Sequence, residues 1–271
     1  MKLALDTSII NKADNVQTLL DHATSLGITV LDTSALYRDS EACLGQYNLE
    51  NFDIVTKTVK CDYTLSRYDN FERIKDTFYA SQKKLGYIEL YGLMFHSASD
   101  VLEYPELWDL VSDFKDKEYV YKIGVSVTNP DELIEVIDSY DIDIVQLPLN
   151  IFDQRFAGIL PELKQKGIEV HSRNTFNEGI LLKNEWQIPE KYRSIKPIFQ
   201  RIPEPKIAYA LAFPKYLKEV DKIIISALST KDLDIFADMY NFEIDNIDFA
   251  EFRINWFYTK SLNVKICENR I

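Results

Sequence analysis

Short apolar runs rich in β-branched residues alternate along this chain with longer stretches whose apolar residues recur every three or four positions. The short runs predict buried strands at residues 2–5, 28–32, 53–57, 90–96, 121–126, 142–147, 168–172 and 222–226. The longer stretches predict helices, for example at residues 71–85, 132–139 and 156–165. Strands that alternate with helices indicate β-α-β units and a parallel sheet. Eight such strands in 271 residues predict a (β/α)₈ TIM barrel, with a doubly wound sheet as the alternative.

Composition excludes several classes of function. With only 8 glycines, neither G-x-G-x-x-G nor G-x-x-x-x-G-K can be written, which argues against the doubly wound alternative. A formal charge of −12 disfavours nucleic acid and anionic lipid as partners, and no apolar stretch approaches membrane-span length. Three histidines are too few for a His-rich metal centre, and three widely spaced cysteines are typical of a reducing compartment. We therefore expect a cytoplasmic protein that binds neither metal, nucleic acid nor membrane.

The chain is predicted to form a single barrel domain over residues 1–271. Residues 184–205, which include four prolines, are predicted to be a long loop after strand seven. The aromatic tail at residues 247–271 is predicted to pack on the barrel as a helix. The oligomeric state stays open, since this tail could pack on its own barrel or on a neighbour.

Chemically active side chains stand where three neighbouring predicted strands end. Strand two ends in Asp32 and is followed by Tyr37, strand three ends in Lys57, and strand four ends in His96. In this fold the chemistry lies at the C-terminal ends of the strands. A lysine beside a tyrosine lowers the pKa of the phenol, an aspartate holds the lysine charged, and a histidine can orient a carbonyl group. Such a set transfers a proton to a carbonyl oxygen, which suits reduction by hydride from a nicotinamide.

Each of these residues also has a plainer interpretation. Asp32 and Lys57 alone could form an ordinary buried ion pair, and Lys57 alone could form a Schiff base as in barrel aldolases. Tyr37 is one of 16 tyrosines, and His96 alone could be structural. The functional interpretation rests on all four standing together at strand ends.

Motifs in the right order along nearly the whole chain resemble those of the aldo-keto reductases. They are D-T-S-x-x-Y-R-D-S-E-x-x-x-G at residues 32–45, T-K at 56–57, L-M-F-H at 93–96, G-V-S at 124–126, Q-L-P-L-N at 146–150, and I-E-V-H-S-R at 168–173 followed by G-I-L-L at 179–182. The resemblance implies an NAD(P)H-dependent oxidoreductase that reduces an aldehyde or ketone to the alcohol. Tyr37 would be the general acid, Lys57 and Asp32 the pair that tunes it, and His96 the group that orients the carbonyl.

The resemblance also implies where a nicotinamide cofactor binds. Ser126 and Gln146 would hydrogen-bond the carboxamide. The residue that stacks on the nicotinamide ring would be His171, with Phe176 as a substitute. The segment after strand eight would hold the cofactor's phosphates, and its residues are Ser226, Ser229, Thr230 and Lys231.

Three departures from the family pattern leave the cofactor open. Asp6 stands where the family has glycine after strand one, and the loop there is short. Val127 replaces an asparagine that often follows strand five. Asp232 would oppose the extra phosphate of NADP, so NADP and NAD both remain possible, with a slight preference for NADP from family habit. The alternative function is a non-catalytic binding or regulatory barrel with a weakened cofactor site.

Residues 124–130 and 150–155 look most like a bacterial branch whose members often accompany sugar and surface-polysaccharide biosynthesis. This similarity implies a keto-sugar or sugar aldehyde as the small-molecule substrate. Arg155 and Arg173 are predicted either to face an anionic substrate group or to be solvated.

Overall fold

The structure, a computed structural model, describes residues 1–86, 88–244, 247–257 and 266–268. Eight parallel strands form a closed barrel in chain order, and the first strand pairs with the eighth. The strands are β1 (Leu3–Asp6), β2 (Val30–Asp32), β3 (Asp53–Lys57), β4 (Leu90–Phe95), β5 (Val120–Ser126), β6 (Ile144–Pro148), β7 (Glu169–Arg173) and β8 (Lys222–Ser226). The predicted (β/α)₈ barrel is confirmed.

Helices connect successive strands and cover the outside of the barrel. They are α1 (Val16–Ser25), α2 (Ser40–Leu44), α3 (Arg67–Lys84), α4 (Ala98–Glu103), α5 (Glu106–Asp116), α6 (Pro130–Ser139), α7 (Leu160–Gln165), α8 (Lys196–Arg201), α9 (Lys206–Tyr216) and α10 (Thr230–Asn241). In α5 the buried residues are Leu107, Leu110, Val111 and Phe114, a spacing that places them on one face. In the part of the chain that the structure describes, no helix is both long and apolar enough to span a membrane.

The first connection is short, as expected from the sequence. α1 begins ten residues after Asp6, and one 3₁₀ turn at Ile10–Lys12 lies between them. Asn15 caps α1, since its side chain accepts a hydrogen bond from the backbone N–H of Thr18.

The barrel interior is layered because side chains on a strand point inward at every second residue. An apolar layer fills the middle and consists of Ala4, Val30, Val55, Met94, Ile144 and Ile224. Two residues further along the same strands, the inward positions are polar: Asp6, Asp32, Lys57, His96, Gln146 and Ser226. The sequence therefore places one polar layer at the C-terminal end of the barrel, directly above an apolar floor.

The N-terminal end of the barrel holds a second polar group. The carboxylate of Glu169 forms an ion pair with Lys122 and accepts a hydrogen bond from the Tyr91 hydroxyl at 2.6 Å. His171 Nε2 lies 2.6 Å from the same carboxylate. Burial raises the pKa of Glu169, but the hydrogen bonds from His171, Lys122 and Tyr91 outweigh it and hold that pKa well below its ordinary value. The carboxyl group is therefore ionised inside the barrel.

Two segments differ from the sequence-based expectation. The predicted loop at residues 184–205 contains two 3₁₀ turns, Glu185–Gln187 and Glu190–Ile195, and helix α8. The segment forms these turns and this helix because its apolar residues Ile195, Ile198, Phe199 and Ile202 are buried.

The predicted helix in the tail is wrong where the tail is described. A 3₁₀ turn spans Phe249–Phe252, and β9 (Asn255–Phe257) pairs in antiparallel fashion with β10 (Ile266–Glu268). Aromatic content does not distinguish a packed helix from a packed strand, because aromatic residues also favour strands. The rest of the predicted helix lies outside the described residues.

Candidate active site

A cavity of about 600 Å³ opens at the C-terminal end of the barrel. Residues at or just beyond the ends of β1, β2, β6, β7 and β8 line it, among them Asp6, Asp32, Tyr37, Gln146, Arg173 and Ser226. Four residues of the polar layer, Asp6, Asp32, Gln146 and Ser226, thus line a pocket at the end of the barrel where barrel enzymes place their active sites.

Lys57 and Asp32 form an ion pair at the bottom of this site. Lys57 Nζ lies 2.8 Å from each carboxylate oxygen of Asp32 and 2.9 Å from the carbonyl oxygen of Thr33. Both side chains are about 2% exposed or less. Gln146 Nε2 donates a further hydrogen bond to Asp32 at 2.7 Å. Three acceptors within 2.9 Å thus surround the Lys57 ammonium group and fix its position.

The ring of Tyr37 lies near both Lys57 of this ion pair and His96. Its centroid is 5.2 Å from Lys57 Nζ and 6.5 Å from the centroid of the His96 ring, in an edge-to-face arrangement. The structure therefore brings together the four residues that the sequence analysis singled out at the strand ends.

The pKa of Tyr37 differs from the expectation. Burial raises it most, the carboxylates of Asp32 and Asp6 raise it further, and Arg173 opposes them. The sequence analysis expected Lys57 to lower this pKa. Because both oxygens of Asp32 contact the Lys57 ammonium, its charge is largely compensated and burial prevails. The phenol of Tyr37 therefore keeps its proton in the structure.

His96 is neutral at physiological pH. Burial, reinforced by the charge of Lys57, lowers the pKa of His96 to about 4. Its Nδ1 lies 3.1 Å from the Ser34 hydroxyl, which also accepts a hydrogen bond from the backbone N–H of Leu36. With that acceptor role filled, the hydroxyl is suited to donate to Nδ1, which leaves Nε2–H of His96 as a hydrogen-bond donor.

Buried hydroxyl groups that the sequence analysis did not single out fix the segment that carries Tyr37. Ser40 Oγ lies 2.9 Å from the carbonyl oxygen of Thr7, 2.8 Å from the Thr7 hydroxyl and 3.1 Å from the Thr33 hydroxyl. These contacts tie the end of the Tyr37 loop to the ends of β1 and β2. The only sequence signal was a run of small hydroxyl residues directly after two apolar strands.

The residues predicted to bind the nicotinamide lie at different depths. Gln146 lines the cavity, and Ser126 stands beside it on the neighbouring strand in register. Phe176 also lines the cavity. His171 lies one layer lower, is fully buried, and contacts Glu169, so its placement does not support the stacking role. Two residues above it on the same strand, Arg173 reaches the cavity instead.

The segment after β8 is arranged around Asp232. The carboxylate of Asp232 accepts hydrogen bonds from the backbone N–H groups of Leu228 and Ser229 at 2.9 and 3.0 Å. The Ser229 hydroxyl in turn accepts from the N–H of Asp232 at 3.2 Å, which completes a capping box at the start of α10. This helix start carries Ser229, Thr230 and Lys231. The carboxylate of Asp232 lies beside them and already accepts hydrogen bonds from two backbone N–H groups.

Asp6 faces the cavity at the position where a glycine was expected. Its carboxylate accepts hydrogen bonds from the Ser226 hydroxyl at 2.7 Å and from the hydroxyl and backbone N–H of Ser8, each at 2.9 Å. The Ser226 hydroxyl therefore donates its hydrogen bond to Asp6, although Ser226 also lines the cavity.

Comparison with known proteins agrees with this geometry. The family model described as "Aldo/keto reductase family" matches residues 1–254. An oxidoreductase of Bacillus subtilis named YqkF, described as uncharacterized, is 25% identical over 189 residues, which cover 64% of this chain and 60% of that protein. Among solved structures, the holo form of the aldo-keto reductase AKR11C1 from Bacillus halodurans superposes with a TM-score of 0.75 at 16% identity, covering 93% of this chain and 89% of that one. Its apo form gives 0.70 at 18% identity, with the same coverage.

The closed barrel with its polar C-terminal pocket defines the architectural class, and the family match gives the narrower assignment. This chain belongs to the aldo/keto reductase family.

Proposed function

We propose that this protein is an NAD(P)H-dependent carbonyl reductase in which Tyr37 donates the proton to the carbonyl oxygen. The observation that carries the proposal is the position of the Tyr37 ring in the cavity wall, 5.2 Å from an ammonium group that Asp32 holds in place. A bound nicotinamide cofactor supplies the hydride in this class of reaction. The chain itself must orient the carbonyl and deliver one proton.

Tyr37 suits this task because its phenol is protonated before the reaction. When the proton leaves, the phenolate forms within the field of Arg173, whose charge stabilises it, and the part of the Lys57 charge that Asp32 leaves uncompensated adds to this effect. His96, neutral and with Nε2–H as donor, orients the carbonyl oxygen toward the phenol. Asp32 acts through Lys57, which it fixes in position.

The residues around the cavity fit the nicotinamide end of the cofactor. Gln146 uses its Nε2 on Asp32, so the oxygen of its amide is the atom that accepts from a carboxamide N–H. Ser126, in register beside Gln146, is the second polar group for that carboxamide. Phe176 in the cavity wall offers an aromatic face.

We propose that the cofactor is NADH rather than NADPH. The family resemblance implies that the extra phosphate of NADP would bind near Ser229, Thr230 and Lys231. There, the carboxylate of Asp232 already occupies the amides of Leu228 and Ser229, and its charge repels a second anion. The contribution of Lys231 opposes this repulsion but does not free the two amides.

The structure makes the Schiff-base reading of Lys57 less favourable. A nucleophilic lysine must lose its proton, whereas the Lys57 ammonium donates to three acceptors at 2.8 to 2.9 Å. The similarity to a sugar-associated branch suggests keto-sugars and sugar aldehydes as early substrates to test.

Calorimetric titration with NADH and, separately, with NADPH tests the proposal. Micromolar binding of NADH, weaker binding of NADPH, and cofactor oxidation on addition of an aldehyde or ketone are expected. Binding of neither cofactor at millimolar concentration would contradict the reductase and favour the non-catalytic binding barrel, a reading that the carboxylates of Asp6 and Asp232 motivate.

A further inference from the structure

Arg173 brings a positive charge to the wall of the cavity that holds Tyr37. Its Nη2 donates to the backbone carbonyl oxygen of Val127 at 3.3 Å, and its Nε is buried without a hydrogen-bond partner. The guanidinium interacts electrostatically with Tyr37, Asp32 and Asp153 and is repelled by Arg155, and burial lowers its pKa. One weak hydrogen bond leaves most of its five N–H donors available.

Two other cations near this site, Lys57 and Arg155, are paired. Lys57 contacts both oxygens of Asp32, and Arg155 contacts Asp153 at 2.8 Å. Among the described residues, no carboxylate forms an ion pair with Arg173 within 4.0 Å. Arg173 is half-buried at the cavity wall, and a charge partly withdrawn from water is costly unless an opposite charge or hydrogen bonds compensate it, so this guanidinium is suited to bind an anion from a ligand.

We propose that Arg173 binds a carboxylate of the substrate, and that the substrates of this site are therefore oxo acids whose carboxylate lies close to the reacting carbonyl. The proposal rests on the proposed reductase function and narrows its substrate class. A planar guanidinium matches a carboxylate through two parallel N–H···O bonds, which also fixes the orientation of the carbonyl beside it.

The position of Arg173 favours the substrate over the cofactor as the source of the anion. Arg173 and Tyr37 line the same cavity, and the Tyr37 hydroxyl must contact the reacting carbonyl oxygen. Arg173 and Tyr37 also interact electrostatically, so an anion that binds Arg173 lies near that carbonyl. The reduced nicotinamide ring, which must also approach the carbonyl, carries no negative charge.

The experiment compares 2-oxo acids with their methyl esters, for example pyruvate with methyl pyruvate, since the ester keeps the carbonyl and removes the charge. Turnover is measured for the unmodified protein, Arg173→Gln and Arg173→Lys. Arg193→Gln is the matched control, because it removes the same charge from a side chain that is 78% exposed. In parallel, calorimetry follows binding of oxamate, an unreactive analogue of a 2-oxo acid, and of each cofactor.

The proposal expects the acid to be preferred over its ester, and Arg173→Gln to raise KM for the acid by at least about tenfold relative to KM for the ester. Because Arg173 also stabilises the Tyr37 phenolate, the variant should lower kcat for acid and ester by the same factor. Oxamate binding is expected to weaken in parallel. Arg173→Lys should retain part of the preference, and Arg193→Gln all of it. Equal turnover of acid and ester, or a preference that survives Arg173→Gln, would overturn the inference and leave the reductase standing.

Two further outcomes separate this inference from the function on which it rests. If Arg173→Gln weakens cofactor binding and leaves the preference for the acid unchanged, the guanidinium serves the cofactor and the inference is overturned. If no carbonyl compound is turned over, the reductase proposal fails. In that case oxamate binding alone tests the anion site. Oxamate binding to the unmodified protein that is lost in Arg173→Gln supports the site, and no oxamate binding to the unmodified protein overturns it.

Discussion

At the scale of single residues, the site depends on how far Asp32 compensates the charge of Lys57 beside Tyr37. A buried ion pair is by itself weak evidence for function, because burial costs offset much of the attraction. Here Lys57 Nζ lies 5.2 Å from the centroid of the Tyr37 ring, which lines the cavity, and Asp32 also accepts a hydrogen bond from Gln146. Asp32 therefore moderates the field that Tyr37 experiences. Tyr37 keeps its proton in the resting protein, and Arg173, together with the uncompensated part of the Lys57 charge, stabilises the phenolate once the proton has left.

His96→Gln tests the electrostatics of this site through stability. In the folded protein the pKa of His96 is about 4, against about 6.5 for an unperturbed histidine. Between these values the unfolded chain binds more protons at this residue, so its contribution to stability is present above about pH 6.5 and is lost as pH falls toward 4. The variant lacks this pH dependence.

The measurement is urea denaturation of both proteins near pH 7 and near pH 5. The unmodified protein should lose more unfolding free energy than His96→Gln on going to the lower pH. A difference between the two proteins that does not change with pH would contradict the assigned pKa.

At the scale of elements, two connections determine the site. The loop between β2 and α2 carries Tyr37, and buried hydroxyl groups hold the end of that loop. The start of α10 carries the capping box of Ser229 and Asp232.

Ser40→Ala should destabilise the protein by about 1–3 kcal/mol, because it removes a buried hydroxyl and leaves the Thr7 carbonyl oxygen without this donor. Urea denaturation measures the loss. Ser139→Ala, at an exposed position on α6, is the control and should change stability by less than about 0.5 kcal/mol. Equal effects of the two substitutions would show that the hydroxyl cluster does not anchor the loop.

Asp232→Asn should improve binding of NADPH relative to NADH by about two- to fivefold. The amide oxygen of asparagine can still accept from the backbone N–H groups, so the substitution removes the charge and preserves the cap. Asp234→Asn removes the same charge from the same helix, two residues further on, and should leave the ratio unchanged. A ratio unaltered by Asp232→Asn would argue against electrostatic discrimination at this helix start.

Some of these element-level features were readable in the sequence and others were not. The S-x-x-D pattern of Ser229 and Asp232 is itself a capping-box signal, and the strand ends at Asp32 and Lys57 followed from the apolar runs. On β7, however, His171 and Arg173 share the inward face, and which of them reaches the cavity depends on the stagger of the closed barrel. Periodicity predicts on which face of a strand a side chain lies, whereas its depth in the barrel depends on how the strands are staggered in the closed sheet.

At the scale of the whole molecule, the barrel separates two charged regions by an apolar layer. Glu169, Lys122 and His171 lie toward one end, and the pocket with Tyr37 lies at the other. The alternation of strands and helices predicted this architecture because it leaves few other ways to bury eight apolar strands. That residues 1–271 form one domain stays a prediction, and the tail shows why composition alone could not assign β9 and β10.

Tyr37→Phe tests the central claim most directly, because it removes only the hydroxyl. The measurement is steady-state turnover of a carbonyl substrate together with calorimetric binding of the cofactor. Tyr68→Phe, on α3 and 71% exposed, is the control. We expect Tyr37→Phe to lower kcat by at least about 100-fold with cofactor affinity nearly unchanged, since the loss is confined to proton transfer. A kcat within about tenfold of the unmodified protein would show that another group supplies the proton.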